Sequence, residues 1–235
     1  GSTLIKSINS LNVDSWKRSD NKYDIIEIYL KKEIQKGESI EIEINYTVKL
    51  PDSKFTGYGF DNDNFYLKNW LIVFSNISDS HWYNQSNLNL DDQSLKKSGY
   101  KLKISFNKNY YLFSNLIKNK TEILNENKTV YLSGSEINDL RVNILNEENY
   151  RKFQNEKNEV DTDIFKISSL DDAEIKVNRI TNYVKDYFND NKSVKLLVSQ
   201  IDYDSNPFYG LNQLPNFLSP FSNEFLEEII FLKSF

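Results

Sequence analysis

A strict alternation of apolar and polar residues between positions 38 and 50 is the feature that most constrains the fold of this chain. One face of the segment carries Ile40, Ile42, Ile44, Tyr46, Val48 and Leu50. The other face carries Glu41, Glu43, Asn45 and Lys49. Side chains of a β-strand alternate between two faces, so the pattern predicts a long, half-buried antiparallel strand. Such a strand is stable only inside a sheet, which the rest of the chain must supply.

The first two-thirds of the chain repeats this kind of pattern. A turn is expected around Lys36–Glu38, just before the alternating strand. Clusters of Asn, Asp, Ser and Gly separate the other strands at Asp61–Asn64, Asn84–Ser94 and Lys118–Lys128. Further strands are predicted at Tyr23–Leu30, Phe65–Phe74, Tyr100–Phe106, Thr129–Ser133, Leu140–Leu145 and Val160–Ile167. The expected fold class is mainly β, an antiparallel β-sandwich or a saddle-shaped assembly of sheets.

The hydrophobic period changes near residue 168. Asp171 and Glu174 resemble a capping box. Residues at helical spacing follow, namely Ala173, Val177, Ile180, Val184 and Tyr187. This pattern predicts a helix over residues 171–188, ended by Asn189–Asn191, and then a buried strand over Val194–Ile201. We therefore expect a β-domain over residues 1–168 and an α+β segment over residues 169–235.

A second helix is predicted from Ser222 onward, after a loop rich in proline. Phe225, Ile229 and Leu232 form an apolar stripe at helical spacing. No Gly, Asn or Pro stop signal follows before Phe235. We expect from this pattern that the α+β segment is truncated and that the chain is the front portion of a longer protein.

Composition argues against several kinds of function. The formal net charge is −5 and no basic block of five residues occurs, which argues against nucleic acid as the main partner. The absence of cysteine removes disulfides, thiolate nucleophiles and Cys-zinc sites. No segment has the apolar length of a membrane span. The only histidine, His81, cannot form an HExxH zinc motif and is expected to be a structural or surface residue.

The aromatic clusters allow two interpretations. They lie at Phe65–Tyr66, Trp70, Trp82–Tyr83 and Tyr110–Phe113. Alternate aromatics can fill a sandwich core, or they can line a face that binds sugars or peptides. We favour the core interpretation, because the chain has 15 Phe and 15 Tyr and needs large apolar side chains to build its sheets.

Several segments occur in an order that resembles the N-terminal β-domain of the M1 family of gluzincin aminopeptidases. They are Leu30, Gly37-Glu38, the strand to Tyr46, Phe55-Thr56-Gly57-Tyr58-Gly59, Asn69-Trp70-Leu71, His81-Trp82, Leu102–Phe106 and Ile137–Leu140. The helix over 171–188 and the strand over 194–201 resemble the opening of the thermolysin-like catalytic domain of that family. The resemblance covers nearly the whole chain in order.

The same resemblance implies a substrate-binding segment. Gly210, Leu211, Asn212 and Gln213 stand about where the family carries its G-x-M-E-N strand, which lines the substrate cleft. In that family the Glu of the motif binds the free amino terminus of the peptide. Gln213 stands at or next to this position, and a neutral amide binds an ammonium group less strongly than a carboxylate. Exopeptidase specificity is therefore in doubt even for the intact protein.

The resemblance implies a zinc metallopeptidase homologue with a peptide or protein substrate. Zinc is expected in the full-length parent and not in this chain, which lacks HExxH and is expected to be inactive by itself. Two alternatives stay open: a catalytically inactive peptidase-like protein that works by binding or scaffolding, and an extracellular β-sandwich module that binds a ligand. The resemblance and an amino-acid usage typical of AT-rich genomes, rich in Lys and Asn and poor in Ala, are compatible with a periplasmic, membrane-anchored or secreted bacterial protein.

Overall fold

The computed structural model of the chain divides into two compact units. The first comprises Gly1–Leu50 and Trp70–Lys97, and the second comprises Pro51–Asn69 and Ser98–Phe235. The structure describes residues 2–53, 58–68, 70–78, 81–83, 96–155, 158–189, 193–201 and 223–233.

The described residues of the first unit form three two-stranded antiparallel ribbons. Its strands are β1 (Ser2–Asn9), β2 (Val13–Arg18), β3 (Ile26–Leu30), β4 (Glu43–Lys49), β7 (Asn76–Ser78) and β8 (His81–Tyr83). β1 pairs with β4, β2 with β3, and β7 with β8. The ribbons β1–β4 and β2–β3 each contain one register shift.

The alternating segment forms a strand, as the sequence predicts, but a shorter one. In β4, Ile44, Tyr46 and Val48 are half-buried and the residues between them are exposed. The strand begins at Glu43, five residues after the predicted start. The turn expected at Lys36–Glu38 is present: Gly37 has a φ of +92°, and the Glu38 N–H donates to the Gln35 carbonyl at 3.0 Å.

In the part of the second unit that the structure describes there are ten strands and two helices. The strands are β5 (Gly59–Asp61), β6 (Asn64–Lys68), β9 (Ser98–Asn107), β10 (Tyr111–Ser114), β11 (Ile117–Leu124), β12 (Asn127–Ile137), β13 (Arg141–Leu145), β14 (Arg151–Gln154), β15 (Asn158–Thr162) and β16 (Val194–Val198). The helices are α1 (Leu170–Phe188) and α2 (Asn223–Lys233). Three sheets result, ordered β10-β13-β6-β5, β11-β12-β9 and β14-β15-β16.

Helix α1 connects two parallel neighbours, β15 and β16. Its N-cap is Ser169, whose hydroxyl accepts the Asp172 N–H at 3.2 Å while donating to the Asp172 carboxylate at 2.6 Å. The expected Asp171/Glu174 pair therefore is not the cap. The helix ends as predicted at Asn189, which has a φ of +52°. Asparagine tolerates this left-handed conformation better than most residues.

One side of α1 packs on the β14–β16 sheet and forms the main hydrophobic core. Ala173, Val177 and Ile180 are buried there, as the helical spacing predicts. Tyr187, which was expected on the same apolar side, is 73% exposed. The other buried members of this core are Phe153, Val160, Ile164, Phe165, Val198 and Phe231.

Helix α2 buries a different side from the one that the sequence predicts. Phe225 and Leu232 are exposed, whereas Phe231 and Glu227 are buried. The Phe231 ring lies 5.1 Å from the ring of Phe165. The Glu227 carboxylate accepts the backbone N–H of Ile167 at 2.7 Å and the hydroxyl of Ser168 at 2.8 Å. These hydrogen bonds satisfy the carboxylate, so the helix can turn its glutamate inward, while Ile229 of the predicted stripe is half-buried.

The second unit also contains strands that the sequence did not predict. The polar segment Lys118–Lys128, expected to separate strands, contributes to the hairpin of β11 and β12. All eight residues of β11 are exposed, so no apolar periodicity marks this strand. The expected turn at Asp61–Asn64 is present, with a positive φ at Asn62 and at Asp63. The expected cluster Asn84–Ser94 lies outside the described residues.

The architecture confirms a mainly β fold with antiparallel sheets and a short α segment. The sheet β14-β15-β16 spans residue 168, because β14 and β15 precede this position and β16 follows it. The division at residues 168–169 stays a prediction. Neither helix in the described part of the chain is long and apolar enough to cross a membrane.

Replacing Gly59 by alanine is expected to destabilise the second unit. Gly59 has a φ of +123°, and a Cβ at this position would lie 2.1 Å from the Pro51 carbonyl oxygen. That oxygen already accepts the Phe60 N–H at 2.9 Å, so the backbone cannot move away without weakening this hydrogen bond. We expect Gly59→Ala to lower the free energy of unfolding by about 2 kcal/mol or more, measured by urea unfolding.

The matched control is Gly99→Ala in the same unit. A Cβ on Gly99 would have its nearest neighbour at 3.9 Å, and the backbone is not left-handed there. We expect a change within about 0.5 kcal/mol. Equal losses for the two variants would contradict the explanation based on backbone geometry.

Candidate functional site

The carboxyl end of the parallel pair β15–β16 brings polar residues together. Asp163 directly follows β15, and Ser199 and Gln200 directly follow β16. The Asp163 carboxylate accepts the backbone N–H of Gln200 at 2.8 Å and so joins the two strand ends. In open α/β sheets, ligands bind outside the carboxyl ends of parallel strands, so this edge is the candidate site.

A buried hydroxyl network lies next to this edge. Asn143 in β13 donates from Nδ2 to the Tyr150 hydroxyl at 2.9 Å. The Tyr150 hydroxyl and the Ser199 hydroxyl are 2.7 Å apart and share a hydrogen bond. All three residues are buried. These hydrogen bonds connect β13 with the residue that precedes β14 and the residue that follows β16.

Apolar contacts fix the Tyr150 ring in place. The ring stacks on Phe113 of β10, with centroids 4.5 Å apart and planes inclined by 23°. Leu145 and Leu197 are buried against Tyr150, and Tyr66 packs on the same cluster. Stacking and burial fix the direction of the Tyr150 hydroxyl. A hydroxyl that is fixed in this way can position a ligand or a neighbouring segment.

The electrostatics keep both tyrosines of the site neutral at ordinary pH. Burial raises the pKa of Tyr150 well above its usual value, and the nearby Asp163 charge raises it further. The hydrogen bonds from Ser199 and Asn143 act in the opposite direction. Burial and Asp163 also raise the pKa of Tyr66. A phenol that keeps its proton is a hydrogen-bond donor and acceptor and is a poor general base.

The arrangement is suited to holding a polar group rather than to nucleophilic catalysis. Ser199 has a tyrosine as its hydrogen-bond partner, and a neutral phenol does not remove the serine proton at neutral pH. The described residues contain no group of three His, Cys, Asp or Glu side chains that could hold a metal ion. The Asn143, Tyr150 and Ser199 side chains are hydrogen-bonded to one another, so they hold the strand ends in place.

Of the residues that the sequence singled out, the aromatic Tyr66 and Phe113 pack against Tyr150 at this site. The predicted substrate-binding residues Gly210–Gln213 lie outside the described residues. His81 is exposed in β8, in the first unit. Sequence reasoning missed Tyr150, Asn143 and Ser199. The sequence placed Asp163 and Ser199 inside the predicted strands Val160–Ile167 and Val194–Ile201, whereas both residues directly follow the observed strands.

The Tyr150→Phe variant tests the buried network. It removes one hydroxyl and leaves the Asn143 amide and the Ser199 hydroxyl without this partner. A buried polar group that loses its partner costs about 1–3 kcal/mol, which is the expected decrease in the free energy of unfolding. Tyr183→Phe is the control, because Tyr183 is 61% exposed, and it should change stability by less than about 0.5 kcal/mol. Equal effects would contradict a role of the network in stability.

Stability should also fall above about pH 10, the ordinary pKa of tyrosine. Above that pH the unfolded chain releases the Tyr150 proton, whereas the folded chain retains it because its pKa is raised. The unfolded state then binds fewer protons, so the free energy of unfolding decreases as the pH rises. Above pH 10 the free energy of unfolding of the wild type should fall more steeply than that of Tyr150→Phe. The difference in slope should reach up to about 1.4 kcal/mol per pH unit. The free energies of unfolding of both proteins are measured by urea unfolding at several pH values. The same pH dependence for the wild type and Tyr150→Phe would refute a raised pKa of Tyr150.

Comparison with known proteins leaves the family open. No known protein family and no curated protein matches the chain. The resemblance to the M1 peptidases therefore stays a prediction from the order of short motifs.

Proposed function

We propose that this chain is a non-catalytic part of an M1-like zinc metallopeptidase homologue, in which it supports and partly lines a peptide-binding cleft. The observation that carries the proposal is the carboxyl edge of β15–β16, where Tyr150 and Ser199 form a buried, hydrogen-bonded support. The chain runs from this edge, at Gln200, toward the segment Gly210–Gln213. The order of motifs along the sequence supports the same assignment.

The role of this chain in the proposed protein is positioning. Zinc in the parent would polarise the peptide carbonyl and activate water. The single histidine of the chain, His81, cannot form HExxH, and the described residues offer no metal-binding group. The residues of this chain therefore receive no step in the hydrolysis. Their part is to hold the cleft wall through the buried contacts of Tyr150, Asn143 and Ser199.

The proposal is tested with the full-length parent beside this chain. Zinc content is measured by metal analysis, and hydrolysis is measured on a mixture of peptides. Zinc and activity in the parent only would support the metallopeptidase assignment. Zinc and activity in neither would favour the inactive homologue that works by binding, and hydrolysis by residues 1–235 alone would overturn the proposal.

Gln213→Glu in the parent tests the predicted cleft segment. A carboxylate at this position should bind the free amino terminus of a peptide more strongly than the amide does. We expect the affinity for a peptide with a free amino terminus to rise about tenfold, the equivalent of roughly 1.4 kcal/mol. The same peptide with an acetylated amino terminus is the control and should bind unchanged in calorimetry. An equal change for both peptides would argue against amino-terminus recognition at Gln213.

One observation favours a second function, the ligand-binding β-module. The ribbon β7–β8 and the residues before it expose large aromatic side chains: Phe74 is 71% exposed, Trp82 57% and Tyr83 54%. Exposed aromatic groups of this kind mark sites that bind sugars or proteins. The test is whether a glycan quenches the tryptophan fluorescence of the chain. Quenching that is lost in Trp82→Ala and retained in Trp16→Phe would support this function.

A further inference from the structure

Two buried polar side chains between β15 and α1 have no hydrogen-bond partner in the part of the chain that the structure describes. They are the amide of Asn158, at both Nδ2 and Oδ1, and the hydroxyl of Thr181. Asn158 is 4% exposed and Thr181 is 1% exposed. Buried polar groups are nearly always hydrogen-bonded, either to the chain or to an ordered water molecule. These two side chains therefore require a further hydrogen-bonding group.

Asn158 and Thr181 face each other across the main hydrophobic core. Side chains alternate along a strand, so Asn158 lies on the same face of β15 as Val160, which is buried in the core with Val177 of α1. The helix runs back along β15, because it connects this strand to the parallel strand β16. Two residues back from Val160 and four residues forward from Val177 are both shifts of about 6–7 Å in the same direction. These shifts lead to Asn158 and Thr181.

A series of hydrogen bonds supports this placement independently. The Asn158 backbone N–H donates to Oδ1 of Asn155 at 2.8 Å. The Asn155 Nδ2 in turn donates to Oδ1 of Asn178 at 2.6 Å. Asn178 precedes Thr181 on α1 by three residues, which is about one helical turn. The start of β15 is therefore tied to the part of the helix that carries Thr181.

The chemistry of the unpartnered atoms is suited to water. A threonine inside a helix often donates to the carbonyl four residues back, but the Thr181 hydroxyl makes no hydrogen bond of this kind. It can therefore donate to, or accept from, a molecule between the helix and the strand. The Asn158 amide offers donors at Nδ2 and lone pairs at Oδ1. Water both donates and accepts, whereas an ion of either sign would be repelled by one end of the amide dipole.

We propose that Asn158 and Thr181 form an internal binding site for an ordered water molecule that bridges β15 and α1. The water hydrogen-bonds to the Asn158 amide on one side and to the Thr181 hydroxyl on the other. Internal waters typically make about three hydrogen bonds to buried groups that otherwise lack partners. The bridge adds a polar connection to the apolar packing of α1 on the sheet. The inference is independent of the proposed peptidase-like function.

The first test is the sign of the stability change in Thr181→Val, measured by urea unfolding. The variant removes the hydroxyl and keeps nearly the same shape. If the hydroxyl holds a bridging water, the equilibrium constant of unfolding should rise about five- to tenfold, because the water loses one of its hydrogen bonds. If the hydroxyl has no partner, valine removes an unsatisfied buried group and the constant should stay the same or fall. Either of these last two results would overturn the proposal.

Asn158→Leu and the double variant test whether the two side chains share one water. Loss of the amide already breaks the bridge, so Thr181→Val should raise the unfolding constant less than about twofold in the Asn158→Leu background. Thr162→Val is the matched control, because Thr162 is also buried on this face of β15 but its hydroxyl accepts the Ile164 N–H at 3.2 Å. Its effect should be the same in both backgrounds. An undiminished effect of Thr181→Val in the Asn158→Leu background would overturn the shared site.

A second measurement detects the water directly and does not depend on the folding of Asn158→Leu. Magnetic relaxation dispersion of the water signal counts the water molecules that stay inside a protein much longer than surface water. Thr181→Val should contain one long-lived water fewer than the wild type. Tyr183→Phe, which changes an exposed residue of the same helix, should contain the same number as the wild type. Equal numbers in the wild type and Thr181→Val would contradict the proposal.

Discussion

The packing of helix α1 on the β14–β16 sheet is the interaction on which the second unit depends. Ala173, Val177 and Ile180 are buried in one cluster with Val160, so this side of the helix lies against the sheet. A helix that connects two strands in this way places them side by side and parallel. The parallel order of β15 and β16 in turn brings Asp163, Ser199 and Gln200 to a common edge. The candidate site is thus a consequence of the apolar side of one helix.

The sequence predicted those parts of the fold in which burial follows a simple period. Alternation identified β4, and helical spacing identified most of the buried side of α1. The strand β11 was not predicted, because all of its residues are exposed and its pairing with β12 depends on backbone hydrogen bonds. The buried side of α2 was predicted wrongly, because a prediction from hydrophobicity places glutamate on the solvent-exposed side of a helix. Glu227 is buried since the backbone of Ile167 and the hydroxyl of Ser168 satisfy its carboxylate.

The candidate site was harder to predict for a related reason. Asn143, Tyr150 and Ser199 belong to three different segments, and the Tyr150–Ser199 contact joins residues 49 positions apart. Nothing in the local pattern around any of these residues distinguishes a buried hydroxyl from an exposed one. The sequence did predict the elements whose ends meet there, namely the strands near residues 160 and 194 and the helix between them. The meeting of their side chains is a property of tertiary packing.

The contact between Glu227 and Ile167 also determines the order in which this part of the chain can fold. It joins residues 60 positions apart, and Phe231 covers Phe165 from the same helix. At ordinary rates of protein synthesis, about 5–20 residues per second, the ribosome needs roughly 3–12 s to make the intervening chain. Throughout that interval the Phe165 ring lacks its cover, although β14, β15 and much of α1 already exist. The nascent chain therefore lacks the aromatic contact of Phe165 with Phe231 until α2 has been made.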